Sequence, residues 1–524
     1  MKKPKRQPKR KAAAKQARRP RPSRESLKAK RTEKRQAYKA LRERQQAQGL
    51  ATPVVPSAAN RKSLFKSTEE EKQAREDAAI EQMRVIKALL PTVLARLKKI
   101  HDFRNPKKVK HQLNAVFLYG ILIFVYQMSS RRQANRKMTQ PAFMDSLRIF
   151  FPELEDLPHH DTLNRVLAGI DDVNELEGAL CDLLRKLMNK KKFRRYLIDG
   201  RYYPIAFDGT QKMVRKELLS PEWLERNVGK EEDVKTQYYV SVLEANLVFS
   251  NGMVIPLMSE FMDYAKGDTS KEKQDCEQRG LKRLANRLKQ RFPRLPIMML
   301  LDGLYSNGPV MEFCRRGKHW DFMIVLQNDS LPSVWEEFEG LKKLQPENQL
   351  RRKWGNRRQH FQWVSDIEYC YGPNGRKRLT VHVVVCVEEW EDLDENGETI
   401  TKRSRHAWLS SKELTKKNVH ERCNLGARHR WGIESGFLVE KHHGYQYEHC
   451  FSYDWDAMRG YHYLMRIGHA LNVLAQFCTA LFKKVREMGM GAFIEFVRET
   501  MAGLWLDVEE VRRRLSAHFQ LYLQ

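Results

Sequence analysis

Apolar residues recur at helical spacing early in the chain, in Ile80-Met83-Ile86-Leu89-Leu90 and in Val93-Leu94-Leu97, which predicts helices across residues 68–190. The longest apolar stretch, 113–128, is interrupted by Asn114 and Gln127 and flanked by Lys108, Lys110, Arg131 and Arg132. A membrane span needs at least about 18 residues, so this stretch reads as a buried helix. Residues 158–163 read as a loop feeding a helix, with Asp161 or Thr162 as its N-cap. Near residue 200 the periodicity changes. Residues 202–207, 237–247 and 253–260 are rich in strand formers and separated by turn signals such as Ser250-Asn251-Gly252. An amphipathic helix follows at 271–291, then a strand at 297–301, a short helix near 310–315 and a strand at 322–326.

Residues 329–415 interrupt this mixed order. Stretches 361–371 and 379–387 alternate as strands around the Pro373-Asn374-Gly375 and Asn396-Gly397 turns, so the segment reads as a β-rich insertion. Another helix follows near residue 430, and apolar helices from about 461 to 485 close the chain. The predicted organisation is a basic tail at 1–67, a helical domain at 68–195 that reads either as a DNA-end-binding domain or as a helical scaffold, a mixed α/β domain at 196–328 and 416–460 split by the insertion, and a helical region at 461–524.

Charge changes the picture. The 524 residues carry a formal net charge of +31. Residues 1–50 hold 20 Lys and Arg against Glu25, Glu33 and Glu43, yet the rest of the chain is basic too. Such an excess implies a polyanionic partner, because each cation that meets a phosphate releases a condensed counterion. Residues 1–60 lack large aliphatics and are expected to be disordered, with 26–48 able to become helical on a phosphate surface. Eight cysteines are scattered without a C-x-x-C pair. That excludes a zinc-ribbon spacing or a small disulfide scaffold and points to reduced thiols in the cytoplasm. No membrane partner is expected.

Three acids stand in fitting local settings. Asp208 ends the apolar run Tyr203-Pro204-Ile205-Ala206-Phe207 and precedes Gly209-Thr210. Asp302 ends Ile297-Met298-Met299-Leu300-Leu301 and precedes Gly303. Glu434 lies in a helical stretch with Arg430 four residues before it and Lys441 seven after. Each alone has an ordinary explanation, a turn Asp before Gly or an i,i+4 surface ion pair. Together, two strand-end carboxylates and one helical carboxylate could converge on two divalent ions, the equipment for phosphodiester chemistry. Mg²⁺ or Mn²⁺ suits such oxygen donors.

The spacing R-x-x-x-E-x-x-x-x-x-x-K at Arg430, Glu434 and Lys441 resembles the Tyr-Arg-Glu-Lys signature of cut-and-paste insertion-sequence transposases. With Asp208-Gly209-Thr210 and Leu300-Leu301-Asp302-Gly303, the chain resembles a DDE transposase of the ribonuclease-H-like superfamily over roughly 200–450, including the β-rich insertion. The resemblance implies a ribonuclease-H-like mixed sheet and two Mg²⁺ or Mn²⁺ ions held by Asp208, Asp302 and Glu434. It implies DNA contacts from Arg430 and Lys441. It also implies terminal inverted repeats and target DNA as partners, and a homodimer or larger assembly on DNA in the bacterial nucleoid. Ala427 stands where the signature has Tyr, and Arg428, His429 or Trp431 could replace its contact.

Other residues compete with or extend this set. Trp431 could stack on an unpaired base, and Arg428, Lys353 and Arg357 are candidate DNA contacts. Glu277 could be an additional acid near the metals, although it reads first as part of a solvated helical face. Glu260 and Asp263 could compete for a metal, and His442, His443 and His449 read as phosphate or packing contacts. Two alternatives remain open, a structure-specific nuclease or resolvase of the same fold and a non-catalytic, domesticated DNA-binding protein.

Overall fold

The computed structural model describes residues 22–51, 63, 65–229, 234–263 and 273–524, the side chains of 273–276 excepted. The chain forms two compact units. The smaller combines the N-terminal segment with 351–360 and 387–405; the larger comprises 56–350, 361–386 and 406–524.

In the smaller unit the basic tail departs from the expected disorder. Helix α1 (Arg24–Ala47) is capped by Ser23, whose side chain accepts from the Ser26 amide. Leu41 and Leu50 are buried. Gln45 donates to the Glu391 carbonyl at 3.2 Å and Arg44 pairs with Glu391 at 3.1 Å. The few apolar residues of this segment thus find a partner surface in the insertion, which a tail without large aliphatics cannot supply for itself. The remaining expected tail, 1–21 and 52–62, lies outside the described residues.

The larger unit opens with helices α2 (Thr68–Leu97), α3 (Leu113–Val125), α4 (Arg131–Met138), α5 (Pro141–Phe150), α6 (His160–Gly169) and α7 (Asn174–Asn189). Ser67 caps α2 by accepting from the Glu70 amide, and the Glu70 carboxylate reaches back to accept from the Lys66 amide. The cap of α6 is His159, ahead of the Asp161 or Thr162 expected there. Helix α3 is buried on nearly every side. Among the described residues no helix is long and apolar enough to cross a membrane.

The sheet comprises β1 (Tyr203–Arg215), β2 (Leu224–Val228), β3 (Lys235–Val248), β4 (Val254–Met262), β5 (Ile297–Leu301), β6 (Asp321–Val325), β7 (Gln349–Trp354), β8 (Arg357–Tyr371), β9 (Lys377–Leu393) and β10 (Thr399–Ser410). Helix α8 (Lys273–Arg291) precedes β5, α9 (Gly308–Glu312) follows it, and α10 (Pro332–Leu341) precedes β7. The strand order is β2-β3-β1-β5-β6-β10-β9-β8-β7, with β4 beside β3. Strands β1, β3 and β4 form an antiparallel meander, while β5 and β6 run parallel to β1. The sheet adds strand β2, which the sequence does not predict, and departs from the expectation at β1 and in the insertion. Strand β1 continues seven residues past Asp208 because Gly209 to Arg215 pair with β3. The insertion also supplies a sheet strand, since β10 pairs antiparallel with β6.

Helices α11 (Gly432–His442), α12 (Trp455–Gln476), α13 (Thr479–Met488), α14 (Met490–Met501) and α15 (Val508–Ser516) complete the chain. Helix α12 runs close beside α3. A Cβ on Gly468 would lie 2.7 Å from the Phe124 side chain, and one on Gly120 would lie 2.7 Å from Leu464. The described helices of 68–195 and of 461–524 both fall within the larger unit.

Candidate active site

Strand register explains why two of the acids meet. Ala206 of β1 pairs with Leu300 of β5 in a parallel ladder. Asp208 and Asp302 each lie two residues further on, so they sit at one level on strands about 4.8 Å apart. Two-residue spacing also keeps them on the face of Ala206 and Leu300. On that face Ala206, Met298 and Leu300 share a buried cluster with Ile433 and Phe437 of α11. Helix α11 comes close because Gly432 and Gly436 present no side chain: a Cβ on either would lie 3.2–3.3 Å from Val254. Glu434, in the first turn of α11, is thereby carried to the two aspartates.

Arg430 joins the cluster. It lies in the 3₁₀ turn Ala427–Trp431 ahead of α11, so the helix is shorter at its start than the sequence suggests. Its guanidinium is 3.0 Å from Glu434 and 3.9 Å from Asp208. The residue is buried, so it faces the carboxylates and not solvent. Burial pushes the Asp208 carboxyl up to about 6; Arg430 opposes that, and the charges of Asp302 and Glu434 add to it. Burial likewise raises Asp302, against the pull of Arg430 and of the Leu304 amide that Asp302 accepts at 3.0 Å. One guanidinium among three carboxylates leaves negative charge uncompensated in a partly desolvated place, which is how functional sites shift pKa values.

The other expected residues fall as follows. Trp431 is 62% exposed beside the acids. Arg428 donates to Asn424 and lies over the Trp408 ring. Lys441 is largely covered and pairs with Glu448 at 3.0 Å. In the smaller unit, Lys353 donates to the Gln48 carbonyl. There Arg357 pairs with Glu388 at 2.6 Å and lies over Trp390, so both cations are engaged in holding that unit together. Ala427, at the signature's Tyr position, is buried in the cluster under α11. Glu260 is committed to Arg283 and Arg287, at 2.6 and 2.8 Å, and Asp263 is exposed.

Glu277 departs from the solvated face expected of it. Its carboxylate lies 2.9 Å from where a Cβ on Gly209 would be, beside Asp208. Tyr305, which carries no signal in the sequence, is 1% exposed just past Asp302. Among the described residues, the metal-type trio with all ligand atoms within 4.8 Å of one another is His159, His160 and Asp161, at the start of α6. Asp208, Asp302 and Glu434 are spread more widely, with Arg430 among them.

Residues 94–184, from the end of α2 into α7, match the model of the family described as DDE_Tnp_1-associated. This match supports a transposase. No curated protein matches the chain. Among solved structures the chain is similar to the cryo-EM structure of the piggyBac transposase synaptic complex with hairpin DNA, at 11% identity and a TM-score of 0.34, over 84% of this chain and 82% of that one.

Proposed function

We propose that the chain is a DNA transposase of the DDE type, encoded by an insertion sequence, which cleaves the ends of its element and joins them to target DNA. The observation that carries this reading is the meeting of Asp208, Asp302 and Glu434 around Arg430. The antiparallel meander beside parallel β5 and β6 supports a ribonuclease-H-like core. The family match over 94–184 supports the transposase class.

The donor set fits divalent cations of the Mg²⁺ or Mn²⁺ type. It consists of carboxylate oxygens only, on neighbouring strands and a helix, with an acid that burial and its acidic neighbours push up to about 6. Asp208, Asp302 and Glu434 would hold two such ions, which activate a water or a 3′-hydroxyl and offset charge on the scissile phosphate. The chain's own residues supply the rest. The register of β1 and β5 fixes the two aspartates, and the glycines of α11 fix Glu434. Arg430 offsets part of the charge of the carboxylates before the substrate arrives and, with DNA bound, would turn towards a phosphate. Exposed Trp431 offers a ring for an unpaired base, a contact typically worth ~1–3 kcal/mol. The exposed cations of α1, including Arg31, Arg35 and Arg42, suit the backbone of a duplex.

The test is incubation of the purified chain with DNA carrying the flanking ends of its gene and Mg²⁺. Nicking at the ends is expected, followed by a strand-transfer product. Asp302→Asn and Glu434→Gln should abolish nicking while leaving DNA binding intact. Unchanged cleavage in those variants would refute the assignment.

A further inference from the structure

We propose that the cavity between residues 103–111 and α6 is a pocket for one unpaired nucleotide of a DNA strand, with Phe103 stacking on the base and Lys108 and Arg165 taking the flanking phosphates. It rests on DNA as the substrate of the chain but on none of the reacting residues, since the cavity shares no residue with the site of Asp208, Asp302 and Glu434.

The cavity measures about 600 Å³, within the ~300–1,000 Å³ usual for small-ligand sites. Helix α6 builds one wall. His159, Thr162, Arg165 and Val166 recur three to four residues apart, so they share one side of the helix, and all four line the cavity. Gly169 continues that stripe and seats Phe103, because a Cβ there would collide with the Phe103 ring. The ring is nonetheless 44% exposed. One part of it is held against α6 while the rest stays open, with Val109 and Leu157 adding apolar surface nearby.

The polar groups fall into two sets. Arg104 is committed to both oxygens of Asp102, at 2.7 Å each, and to the His111 carbonyl. Lys110 is committed to Asp156, the one acid of the lining, at 2.8 Å. Lys108, at the end of the 3₁₀ turn Pro106–Lys108, and Arg165 are exposed and have no ion-pair partner among the described residues. Asn135 of α4 also lines the cavity. Its helix adds the exposed cations Arg132, Arg136 and Lys137 and contains no acid.

This combination selects the ligand. An aromatic face stacks on any base, and cations beside it follow the backbone. A side-chain amide such as that of Asn135 can pair with a base edge. An aliphatic ligand would leave both cations unmatched, and a bare phosphate would leave Phe103 open. The base must be unpaired, because a base inside a duplex is stacked on its neighbours and cannot offer its face.

The experiment irradiates the full chain with a short single-stranded oligonucleotide carrying 5-iododeoxyuridine, which couples to an aromatic ring it stacks on, and maps the adducts by mass spectrometry. Wild type should carry an adduct at Phe103, and the same base in a full duplex should give none there. Lys108→Ala and Arg165→Ala should each cut that yield several-fold and flatten its fall with salt, with circular dichroism verifying folding. Phe103→Leu, which keeps an apolar contact with α6, should lose this adduct alone and leave those at other rings unchanged. Asp208→Asn should label Phe103 as wild type does, which separates the pocket from the cleavage reaction. Adducts confined to other residues, or a Phe103 adduct indifferent to Lys108→Ala and Arg165→Ala, would overturn the pocket. Suppression of the adduct by dTMP at the concentration of the oligonucleotide would make the ligand a free nucleotide and overturn its assignment to a strand.

Discussion

Asp208 and Glu244 are direct partners across the β1–β3 ladder, yet the chain treats the two carboxylates in opposite ways. Glu244 is buried, and burial works to raise its pKa. Arg466 and His462, at 3.2 Å each, and Ser259, at 2.6 Å, hold it down to about 2. Tyr447 adds a hydrogen bond at 2.9 Å. The same network reaches α11 through Glu440, which takes Arg466 at 3.4 Å and His469 at 2.7 Å. Asp208, on the neighbouring strand, has one guanidinium at 3.9 Å, two acidic neighbours and a carboxyl pushed up to about 6. The contrast separates two uses of a buried charge. Where both oxygens find donors, as on Glu244, the acid fixes helices to the sheet. Where donors are withheld, the acid stays available for a cation.

The largest effect should come from breaking the satisfied side. Glu244→Ala leaves Arg466 and His462 buried without their shared partner, and loss of one member of a buried pair typically costs ~3–5 kcal/mol. Urea denaturation should show the midpoint fall accordingly. A variant as stable as wild type would remove Glu244 from the structural class.

The unsatisfied side should respond with the opposite sign. Without divalent cations at pH 7.5, Asp208→Asn should stabilise the fold by up to ~3 kcal/mol, since each pKa unit is worth about 1.4 kcal/mol and Asp208 is raised from 3.8 to about 6. The pH dependence follows from the same shift. The native state holds the Asp208 proton more tightly than the unfolded chain does, so its cost is absent below about pH 4. That cost grows as pH rises towards 6 and is full above it. Melting curves of wild type and Asp208→Asn should therefore coincide near pH 3.5 and separate across pH 4–6. A constant gap at all pH values would contradict titration of Asp208 as its cause.

Smaller effects sharpen the boundary between the two regions. Glu440→Gln keeps the shape but removes the charge facing Arg466, and should cost ~1–3 kcal/mol while lowering cleavage through a displaced α11. Lys441→Ala breaks a partly exposed pair with Glu448, and should change stability by less than about 1 kcal/mol. Any larger loss of DNA cleavage in Lys441→Ala would then come from substrate contact, read as a rise in KM.

Much of this site is legible in the sequence because strand-forming apolar runs end on their acids. The run Ile297 to Leu301 forms β5 with the same bounds. The end of β1 is hidden, because Gly209-Thr210 looks like a turn and only the ladder with β3 keeps it extended. Strands β2 and β10 escape notice since most of their exposed residues are polar, leaving no sustained period-2 apolar signal. The helix of the N-terminal tail depends on contacts with residues more than 300 positions away. The buried polar network of α12 has no sequence pattern at all, since its partners lie on β3, α11 and the loop after α11.

The most direct measurement places cleavage and binding side by side, with Mg²⁺ and labelled DNA carrying the flanking ends of the gene, for wild type and Asp208→Asn. Nicking at the ends by wild type only, with equal DNA affinity in both proteins, is the expected result. Equal nicking by both, or no nicking by a wild type that binds the ends tightly, would contradict a catalytic site built on Asp208, Asp302 and Glu434.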